Sequence, residues 1–341
     1  MAELSSLLER EIGEQAGVLA DRAVDAGDGV RAAAAALTAD DVDHVVIAAR
    51  GSSDNAARFA QYLFGEELRL HVGLAAPWLF RVPDRAPALR RAAVIGISQS
   101  GRSPDIVAVL AAAASQARPT IALTDDPDSP LAEQADAVIP LLAGQERSVA
   151  ATKTYLASLY ALVELVEAIR PRPERREWLG RLPALVGEVA TQMLLERERF
   201  DPLSGLRLIT VTGRGLAYSA ACESALKLRE LTGAPAEAFS PADLMHGPIA
   251  ALTPAGGAWL IEPGEELDEV VARAGPTVVL SADLRQLATA TVPIPLPRGL
   301  PGWASAMLAV VPAQAAALRL AERAGVDVDH PHGLSKVTLT H

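Results

Sequence analysis

The chain of 341 residues is half hydrophobic, carries a formal net charge of −11 and contains only 4% aromatic residues. This acidic balance argues against a nucleic-acid-binding surface, and the unbroken apolar runs are too short to predict a membrane-spanning segment. The single cysteine, Cys222, argues against a disulfide framework and against a cysteine-based zinc site. Together with an N-terminus that lacks the pattern of a signal peptide, these features predict a reduced, cytoplasmic setting.

The first half of the chain predicts helices followed by a parallel sheet. A helical pattern runs over residues 3–37, with a break near 27–29. Strand-like runs then recur at 44–49, 72–75, 93–97, 120–124 and 137–140, with helical segments between them. Such alternation is typical of parallel strands joined by crossover helices. A long helix over 151–169 leads into the Pro/Arg-rich stretch 170–176, which is the best candidate for a linker.

The same plan restarts in the second half. A strand at 206–211, a turn at 212–215 and a helix at 218–231 repeat the unit that begins at residue 45, and further strands are expected at 258–261 and 277–280. We therefore predict two similar doubly wound, flavodoxin-like parallel sheets in tandem. The expected divisions are an N-terminal helical segment at 1–40, a first α/β domain at 41–170, a linker and helix at 171–198, a second α/β domain at 199–315, and a C-terminal helix and tail at 316–341.

The loop after the strand at 93–97 carries serines around a glycine and then opens a helix. Ser103 is a good N-cap, Pro104 fits the first helical position, and Asp105 complements the positive helix end. Hydroxyls and unpaired backbone N–H groups that converge at a helix start suit a phosphate, although ordinary strand-to-helix punctuation is the alternative interpretation. Because no Ser-x-Ser-Gly loop follows the strands of the second half, phosphate is expected to bind the first half.

Three polar residues stand on the helix predicted at 218–231. Glu223, Lys227 and Glu230 are spaced by four and three positions, which places them on one helix face. Their presence indicates either a solvated face with a Glu-to-Lys pair or a set of groups that acts on a ligand. Glu230 is expected near the strand ends, where a doubly wound sheet places its ligands.

Two further candidates lie in unusual segments. His246 lies in the stretch 237–248, which is predicted to be a loop. There it is either a packing or surface residue or a general acid/base. Lys336 is one of only three lysines and lies in a C-terminal stretch too patterned for a frayed tail. That stretch is either packed for stability or a lid that carries Lys336 into the site.

Seven short motifs occur in order from Arg50 to Lys336, within a stretch of similarity that runs from Glu11 to Val337. With them the chain resembles the sugar isomerase (SIS) domain family, and within it the isomerase half of glucosamine-6-phosphate synthases. The motifs are Arg50-Gly51-Ser52-Ser53, Ser98-Gln99-Ser100-Gly101, Val149-Ala150-Ala151-Thr152-Lys153, Gly213-Arg214-Gly215, Glu223 to Glu230, His246-Gly247-Pro248 and Asp327 to Lys336, preceded by Glu11-Ile12-Gly13-Glu14-Gln15.

The resemblance implies two SIS domains and a role for each motif. Glu230 is the base that moves a proton between C1 and C2 of a sugar 6-phosphate, and Lys227 orients it and helps to stabilise the enediol-like intermediate. Lys336 lies at the reacting carbonyl end, and His246 assists ring opening from the neighbouring subunit, so a homodimer with shared active sites is expected. No cofactor, metal, nucleic-acid partner or membrane partner is implied. The implied phosphate- and sugar-binding residues are Gly51, Ser52, Ser53, Ser98, Gln99, Ser100 and Ser103, with the backbone of Val149 and Ala150 along the sugar.

Departures from the synthase pattern affect the expected substrate. The synthase begins with a glutaminase domain whose nucleophile is an N-terminal cysteine, which this chain lacks, so it is not expected to release ammonia from glutamine. Arg102 replaces an acidic residue, and His332-Gly333 replaces Arg-Asn before the final lysine motif. We therefore predict a stand-alone aminosugar-phosphate deaminase/isomerase that converts glucosamine 6-phosphate into fructose 6-phosphate and ammonia. The alternatives are a ketose–aldose isomerase, a deglycase, an N-acetylglucosamine-6-phosphate dehydratase, or a non-catalytic phosphosugar-sensing module.

Overall fold

The computed structural model describes residues 6–25, 27–82, 84–331, 333 and 336, and these divide into two compact units. The first unit comprises Gln15–Glu146, Lys153–Pro183 and Lys336. The second unit comprises the described part of Met1–Glu14, together with Arg147–Thr152 and the described part of Ala184–Ser335. Each unit contains one five-stranded parallel sheet.

Two helices precede the first sheet in the chain. The elements in order are α1 (Leu7–Asp25), α2 (Gly27–Leu37), β1 (His44–Ala48), α3 (Ser52–Leu68), β2 (His71–Leu74), α4 (Pro77–Arg81), β3 (Ala92–Ile97), α5 (Pro104–Ser115), β4 (Thr120–Thr124), β5 (Ala137–Pro140), α6 (Lys153–Ile169) and α7 (Pro173–Leu195). These bounds confirm all five predicted strands to within two residues at each end. Residues 27–29, where a break in the helical pattern was expected, form the first turn of α2.

The second sheet follows a 3₁₀ helix at Arg197–Leu203. Its elements are β6 (Ile209–Gly213), α8 (Leu216–Thr232), β7 (Ala236–Phe239), α9 (Pro241–Met245), β8 (Gly257–Ile261), α10 (Leu267–Arg273), β9 (Thr277–Ser281), α11 (Leu284–Leu287), β10 (Val292–Pro295) and α12 (Gly302–Ala324). Short 3₁₀ turns also occur at Ala132–Gln134 and Pro248–Ala251.

Both sheets have the same strand order, which confirms the predicted tandem of doubly wound folds. The first runs β2-β1-β3-β4-β5, and the second, taken from its other edge, runs β7-β6-β8-β9-β10. The repeat extends to one turn, because Gly51 before α3 (φ 56°, ψ −131°) and Gly215 before α8 (φ 60°, ψ −127°) have nearly the same backbone angles. Only glycine adopts these positive-φ backbone angles without strain, so the fold requires glycine at both positions.

The strands are continuous apolar runs because helices cover both faces of each sheet. All six residues of β3 are buried, and so are all five of β8. On one face of the second sheet, Ala258 and Leu260 pack in a core cluster with residues of α9, α10 and α11. Side chains alternate along a strand, so Trp259 points to the other face, where it stacks on Phe200 at 5.8 Å between ring centroids.

Helices α8 and α12 lie on that other face. The 3₁₀ helix that carries Phe200 contacts α12, and α12 packs along α8. In the described part of the chain, α12 is the only helix long and apolar enough to cross a membrane, but 94% of its most apolar stretch is buried inside the protein. Such burial is what a core helix shows, and the second unit uses α12 in that way.

Three sequence predictions need correction. Residues 237–248 are not one loop, because β7 and α9 occupy most of them, and β10 was not predicted. Both missed strands lie at the edges of the second sheet, and their sequences, Ala-Glu-Ala-Phe and Val-Pro-Ile-Pro, lack the apolar runs of central strands. The stretch 170–176 is mostly not a linker, because α7 begins at Pro173, and proline is tolerated in a first helical turn.

Candidate functional site

Two serine-containing loops lie side by side at one edge of the first sheet. The first follows β1 at Arg50 and Gly51 and continues into the first turn of α3, which carries Ser52 and Ser53. The second runs from Ser98 to Ser103 after β3. β1 and β3 are neighbours in the sheet, and β1 also pairs with β2 on its other side. This is the point where the strand order reverses, and open α/β sheets bind ligands there, beyond the carboxyl ends of their strands.

The second loop is held to β4 by backbone bonds. Ser98 donates its N–H to the Leu123 carbonyl at 3.0 Å, and the Gln99 carbonyl accepts from the Asp125 N–H, also at 3.0 Å. Gly101 makes the turn at φ 61°, and a Cβ there would lie 2.0 Å from the Ser129 hydroxyl oxygen. The loop therefore requires glycine both for its backbone angle and for its close packing.

Ser103 and Pro104 begin α5 as predicted, but two expectations about this helix start are only partly met. Ser103 stands at the N-cap position without a side-chain capping bond. The Asp105 carboxylate, which is buried, pairs with two arginines: with Arg50 at 2.8 Å and with Arg81 at 3.0 Å. Since Arg50 belongs to the first loop, Asp105 joins the two serine loops directly.

Arg102, which departs from the expected acidic residue, lies at the surface. Its guanidinium pairs with Asp126 at 2.8 Å, and its backbone N–H donates to the Ser100 hydroxyl oxygen at 3.3 Å. Arg102 therefore contacts Ser100 through its backbone, while its side chain pairs with Asp126, which follows β4.

Lys336 pairs with a buried carboxylate of the first unit. Its Nζ lies 2.8 Å from Oε2 of Glu146, whose side chain is fully buried. The Thr154 hydroxyl donates to the same oxygen at 2.5 Å, and the Thr154 N–H donates to the other at 3.3 Å. Sequence reasoning missed Glu146, although it stands three positions before the Val149–Lys153 motif. His332, which with Gly333 departs from the Arg-Asn of the synthase pattern, lies outside the described residues.

Asp125 lies next to the Gln99 carbonyl and is the most perturbed carboxyl group near these loops. Burial raises the pKa of its carboxyl from 3.8 to about 6, and the nearby Glu146 charge raises the pKa further, while Arg22 and Lys153 lower it. One carboxyl oxygen accepts from the Ala143 N–H at 2.9 Å. The other is buried with no hydrogen-bond partner among the described residues.

In the second unit, α8 carries the three polar residues on one face, as predicted. Lys227 Nζ lies 2.6 Å from Oε2 of Glu230 and 3.4 Å from Oε1 of Glu223. The side chains of Glu223 and Lys227 are 0% and 1% exposed, whereas Glu230 is 26% exposed. The interpretation as a solvated face is therefore wrong, because only the terminal carboxylate of this array reaches the surface.

The position of Glu230 along the sheet differs from the expectation. α8 begins at Leu216, at the carboxyl end of β6, and Glu230 follows fourteen positions later, about 21 Å along the helix axis. Its neighbour Arg229 donates to the carbonyl of Ala236, the first residue of β7. Glu230 therefore lies toward the amino-terminal edge of the second sheet, because a crossover helix runs antiparallel to the strand that it follows.

His246 lies on the opposite face of the second sheet from α8. It ends α9, and its neighbours Leu244 and Ile249 pack in the core cluster on the Ala258 and Leu260 side. The imidazole itself is exposed. Within one copy of the chain, Glu230 and His246 thus lie on different faces of one sheet.

Val149 and Ala150 belong to the segment Arg147–Thr152 of the second unit. Ala150 is buried and Val149 is half-buried. The structure thus places Gly51, Ser52, Ser53, the Ser98–Ser103 loop and Lys336 in the first unit. It places Val149, Ala150, Lys227, Glu230 and His246 in the second.

Comparison with known proteins agrees with this architecture. Residues 40–168 match the SIS domain family. Glutamine–fructose-6-phosphate aminotransferase (isomerizing) from Bradyrhizobium diazoefficiens is 31% identical over 315 residues, an alignment that covers 86% of this chain and 52% of that protein. The chain spans about half the length of the curated relatives that it matches.

Two solved structures share the whole fold. The C-terminal domain of glucosamine–fructose-6-phosphate aminotransferase from Francisella tularensis has a TM-score of 0.83 at 24% identity and covers 96% of this chain and 99% of its own. Glucosamine-6-phosphate deaminase from Thermotoga maritima has a TM-score of 0.76 at 20% identity and covers 98% of this chain and 100% of its own. These likenesses confirm the tandem of SIS-like sheets.

Proposed function

Because residues 40–168 form a SIS domain and the chain is homologous to the isomerase portion of glutamine–fructose-6-phosphate aminotransferases, we propose that it is an enzyme acting on an aminosugar 6-phosphate. The proposed reaction converts glucosamine 6-phosphate and water into fructose 6-phosphate and ammonia. The observation that carries the proposal is the array on α8, in which a buried lysine pairs with the half-exposed Glu230 at 2.6 Å. Such an array provides a base and a positive charge together.

The chemistry needs both groups. In the open-chain aminosugar, Glu230 removes the C2 proton, and the electron pair forms a C1–C2 double bond while charge develops on the C1 oxygen. A nearby ammonium stabilises that oxygen, which is the role proposed for Lys336, while Lys227 holds the Glu230 carboxylate in place. The proton then returns to C1, the amino group gives up one proton and the C1 oxygen gains one, which leaves an imine at C2 and a hydroxyl at C1. Water hydrolyses the imine to the ketone with loss of ammonia.

Phosphate binding is proposed for the two serine loops of the first unit. Ser98, Ser100 and Ser103 supply hydroxyls, and the start of α5 supplies backbone N–H groups and a positive helix end. The absence of a capping bond from the Ser103 side chain supports this assignment, because its hydroxyl is not engaged by its own helix. The carboxylate of Asp105 pairs with Arg50 and Arg81, so it is oriented toward those guanidiniums.

A homodimer with shared sites forms part of the proposal. Since Glu230 and His246 lie on opposite faces of the second sheet, a His246 that helps to open the sugar ring at Glu230 comes from a second copy. The exposure of His246 supports this arrangement. With one cysteine in the sequence and the apolar helix α12 buried, we further propose that the enzyme works in the cytoplasm.

A panel of sugar 6-phosphates tests the function. The purified protein is incubated with glucosamine 6-phosphate, N-acetylglucosamine 6-phosphate, a phosphorylated sugar–amine adduct and ketose 6-phosphates, and ammonia release and product NMR are recorded. Stoichiometric ammonia and fructose 6-phosphate from glucosamine 6-phosphate are expected. Water elimination, release of an amine from the adduct, or ketose–aldose interconversion without ammonia would each identify an alternative enzyme. Binding without turnover would indicate a sensing module.

A further inference from the structure

Glu11 of α1 holds a loop far along the chain. Its carboxylate is buried, with the residue 4% exposed. Oε1 accepts the backbone N–H of Arg147 at 2.5 Å, and Oε2 accepts the next N–H, that of Ser148, at 3.1 Å. All three residues belong to the second unit. Glu11 opens the segment Glu11–Gln15 that precedes the seven sequence motifs, and the proposed reaction gives that segment no role.

This geometry fixes the orientation of one peptide segment. A carboxylate that accepts two consecutive N–H groups forms two charge-assisted bonds at once, and such bonds are shorter and stronger than neutral ones. The segment that follows directly is Val149–Ala150. In the proposed function its backbone lines the sugar, so any rotation of the peptide at 147–148 is carried into that lining.

The helix that carries Glu11 is itself held at its N-terminus. The Asp329 carboxylate accepts from the N–H of Leu7 at 2.9 Å and of Leu8 at 3.3 Å, and so satisfies two of the free amides at the start of α1. The start of α1, about one turn before Glu11, is therefore held in place by a carboxylate of the same unit.

We propose that Glu11 is a positioning residue for the sugar part of the substrate. It sets the backbone of Val149 and Ala150 through the two N–H groups before them, and it touches no substrate itself because its carboxylate is buried. The inference rests on the proposed function, which supplies the sugar contact. Glu11 and the segment Val149–Ala150 belong to the second unit, whereas the serine loops belong to the first. Loss of Glu11 should therefore affect binding of the sugar and not binding of the phosphate.

The test compares Glu11→Gln with the wild-type protein in binding of fructose 6-phosphate and of inorganic phosphate. Glutamine keeps the length but has one acceptor oxygen, and its NH₂ group faces an N–H donor. We expect fructose 6-phosphate to bind about tenfold or more weakly, inorganic phosphate to bind unchanged, and amide hydrogen exchange at Ser148 and Val149 to accelerate. Glu11→Asp keeps the charge with a shorter reach, so its affinity for fructose 6-phosphate should lie between those of the wild-type and Glu11→Gln proteins.

Glu9→Gln is the matched control, because it removes a carboxylate from the same helix and breaks only a half-exposed ion pair. It should leave both affinities unchanged. Equal weakening of both ligands, or unchanged sugar affinity in a folded Glu11→Gln protein, overturns the inference. If Glu11→Gln does not fold, Glu11→Asp decides by the same comparison. A wild-type protein that binds these ligands but turns over no sugar phosphate would refute the proposed function alone. The exchange rates at Ser148 and Val149 would still test whether Glu11 holds the backbone at 147–148.

Discussion

Lys336 and Glu146 form an ion pair across 190 positions of sequence, with Nζ 2.8 Å from Oε2. The Glu146 carboxylate is fully buried and also accepts two hydrogen bonds from Thr154, at the start of α6. Lys336 keeps 24% of its side chain exposed. Lys336 is therefore paired with a buried carboxylate of the first unit that Thr154 also holds.

The first prediction concerns that pair. Glu146→Gln keeps the shape and part of the Thr154 contact but removes the charge that holds Lys336, so turnover should fall about tenfold or more. Acylation of Lys336 by a lysine reagent should accelerate, and mass spectrometry can follow it because the other two lysines, Lys153 and Lys227, are buried. Glu133→Gln, at an exposed carboxylate of the same unit, should change neither. An unchanged acylation rate in Glu146→Gln would show that the pair does not hold Lys336 in solution.

The second prediction assigns the base. Glu230→Gln preserves shape and removes basicity, so turnover should fall by about 10²–10⁴-fold with little change in phosphate-driven binding. Exchange of the C2 hydrogen in heavy water should fall in parallel. Glu237→Gln, an exposed carboxylate seven positions later, is the control and should exchange at the parent rate. If Glu230→Gln also exchanges at the parent rate, Glu230 is structural and His246 is the next candidate.

The third prediction concerns the phosphate. Ser100→Ala removes one hydroxyl from the loop between β3 and α5, and a charge-assisted hydrogen bond contributes about 1.5–3 kcal/mol. Affinity for the phosphosugar should therefore fall about tenfold or more, as measured by titration calorimetry. Ser115→Ala, at the far end of α5, is the matched control. Equal affinity of the wild-type protein for the phosphorylated and the non-phosphorylated sugar would contradict the assignment of this loop.

The fourth prediction tests sharing of sites between copies. Glu230→Gln and His246→Asn proteins should each be inactive, and mixing them should restore activity once subunits exchange. In a two-fold dimer, random exchange puts both intact residues together in about one quarter of the sites, so about a quarter of the parental rate is expected. Each variant incubated alone provides the baseline. A monomer in sedimentation, or no recovery after exchange shown by labelled subunits, contradicts the shared site.

The fifth prediction is a pH dependence of stability. Because burial raises the pKa of Asp125 to about 6, the folded protein keeps a proton between about pH 4 and 6 that the unfolded chain has released. Its contribution to stability is therefore largest below pH 4 and falls as the pH rises through 6. Asp125→Asn keeps the oxygen that accepts from the Ala143 N–H. Because asparagine does not ionise, the variant does not lose stability at this site as the pH rises.

Urea unfolding at a series of pH values measures the effect. The difference in unfolding free energy between Asp125→Asn and the wild-type protein should change in favour of the variant as the pH rises from 4 to 7. Asp128→Asn, at an exposed carboxylate three positions later, should show no such trend. A pH-independent difference for Asp125→Asn would mean that its carboxyl titrates at its ordinary value.

The sequence by itself determined the plan of the molecule. Apolar runs, glycine turns and helical periodicity are local, so both sheets, the start of α5 at Ser103 and Pro104, and the common face of Glu223, Lys227 and Glu230 could be predicted. The two edge strands β7 and β10 were missed because their stability comes from pairing with a neighbour and not from an apolar run of their own.

Only the tertiary structure decided which partner each charged group takes. Asp105 turns to Arg50 and Arg81, Glu146 receives Lys336, and Glu11 holds the amides at 147–148, each across a long stretch of chain. It also decided that Glu230 and His246 lie on opposite faces of one sheet. Spacing along a chain fixes which residues share a helix face, but the identity of a distant partner depends on how the elements pack, and no local pattern encodes that.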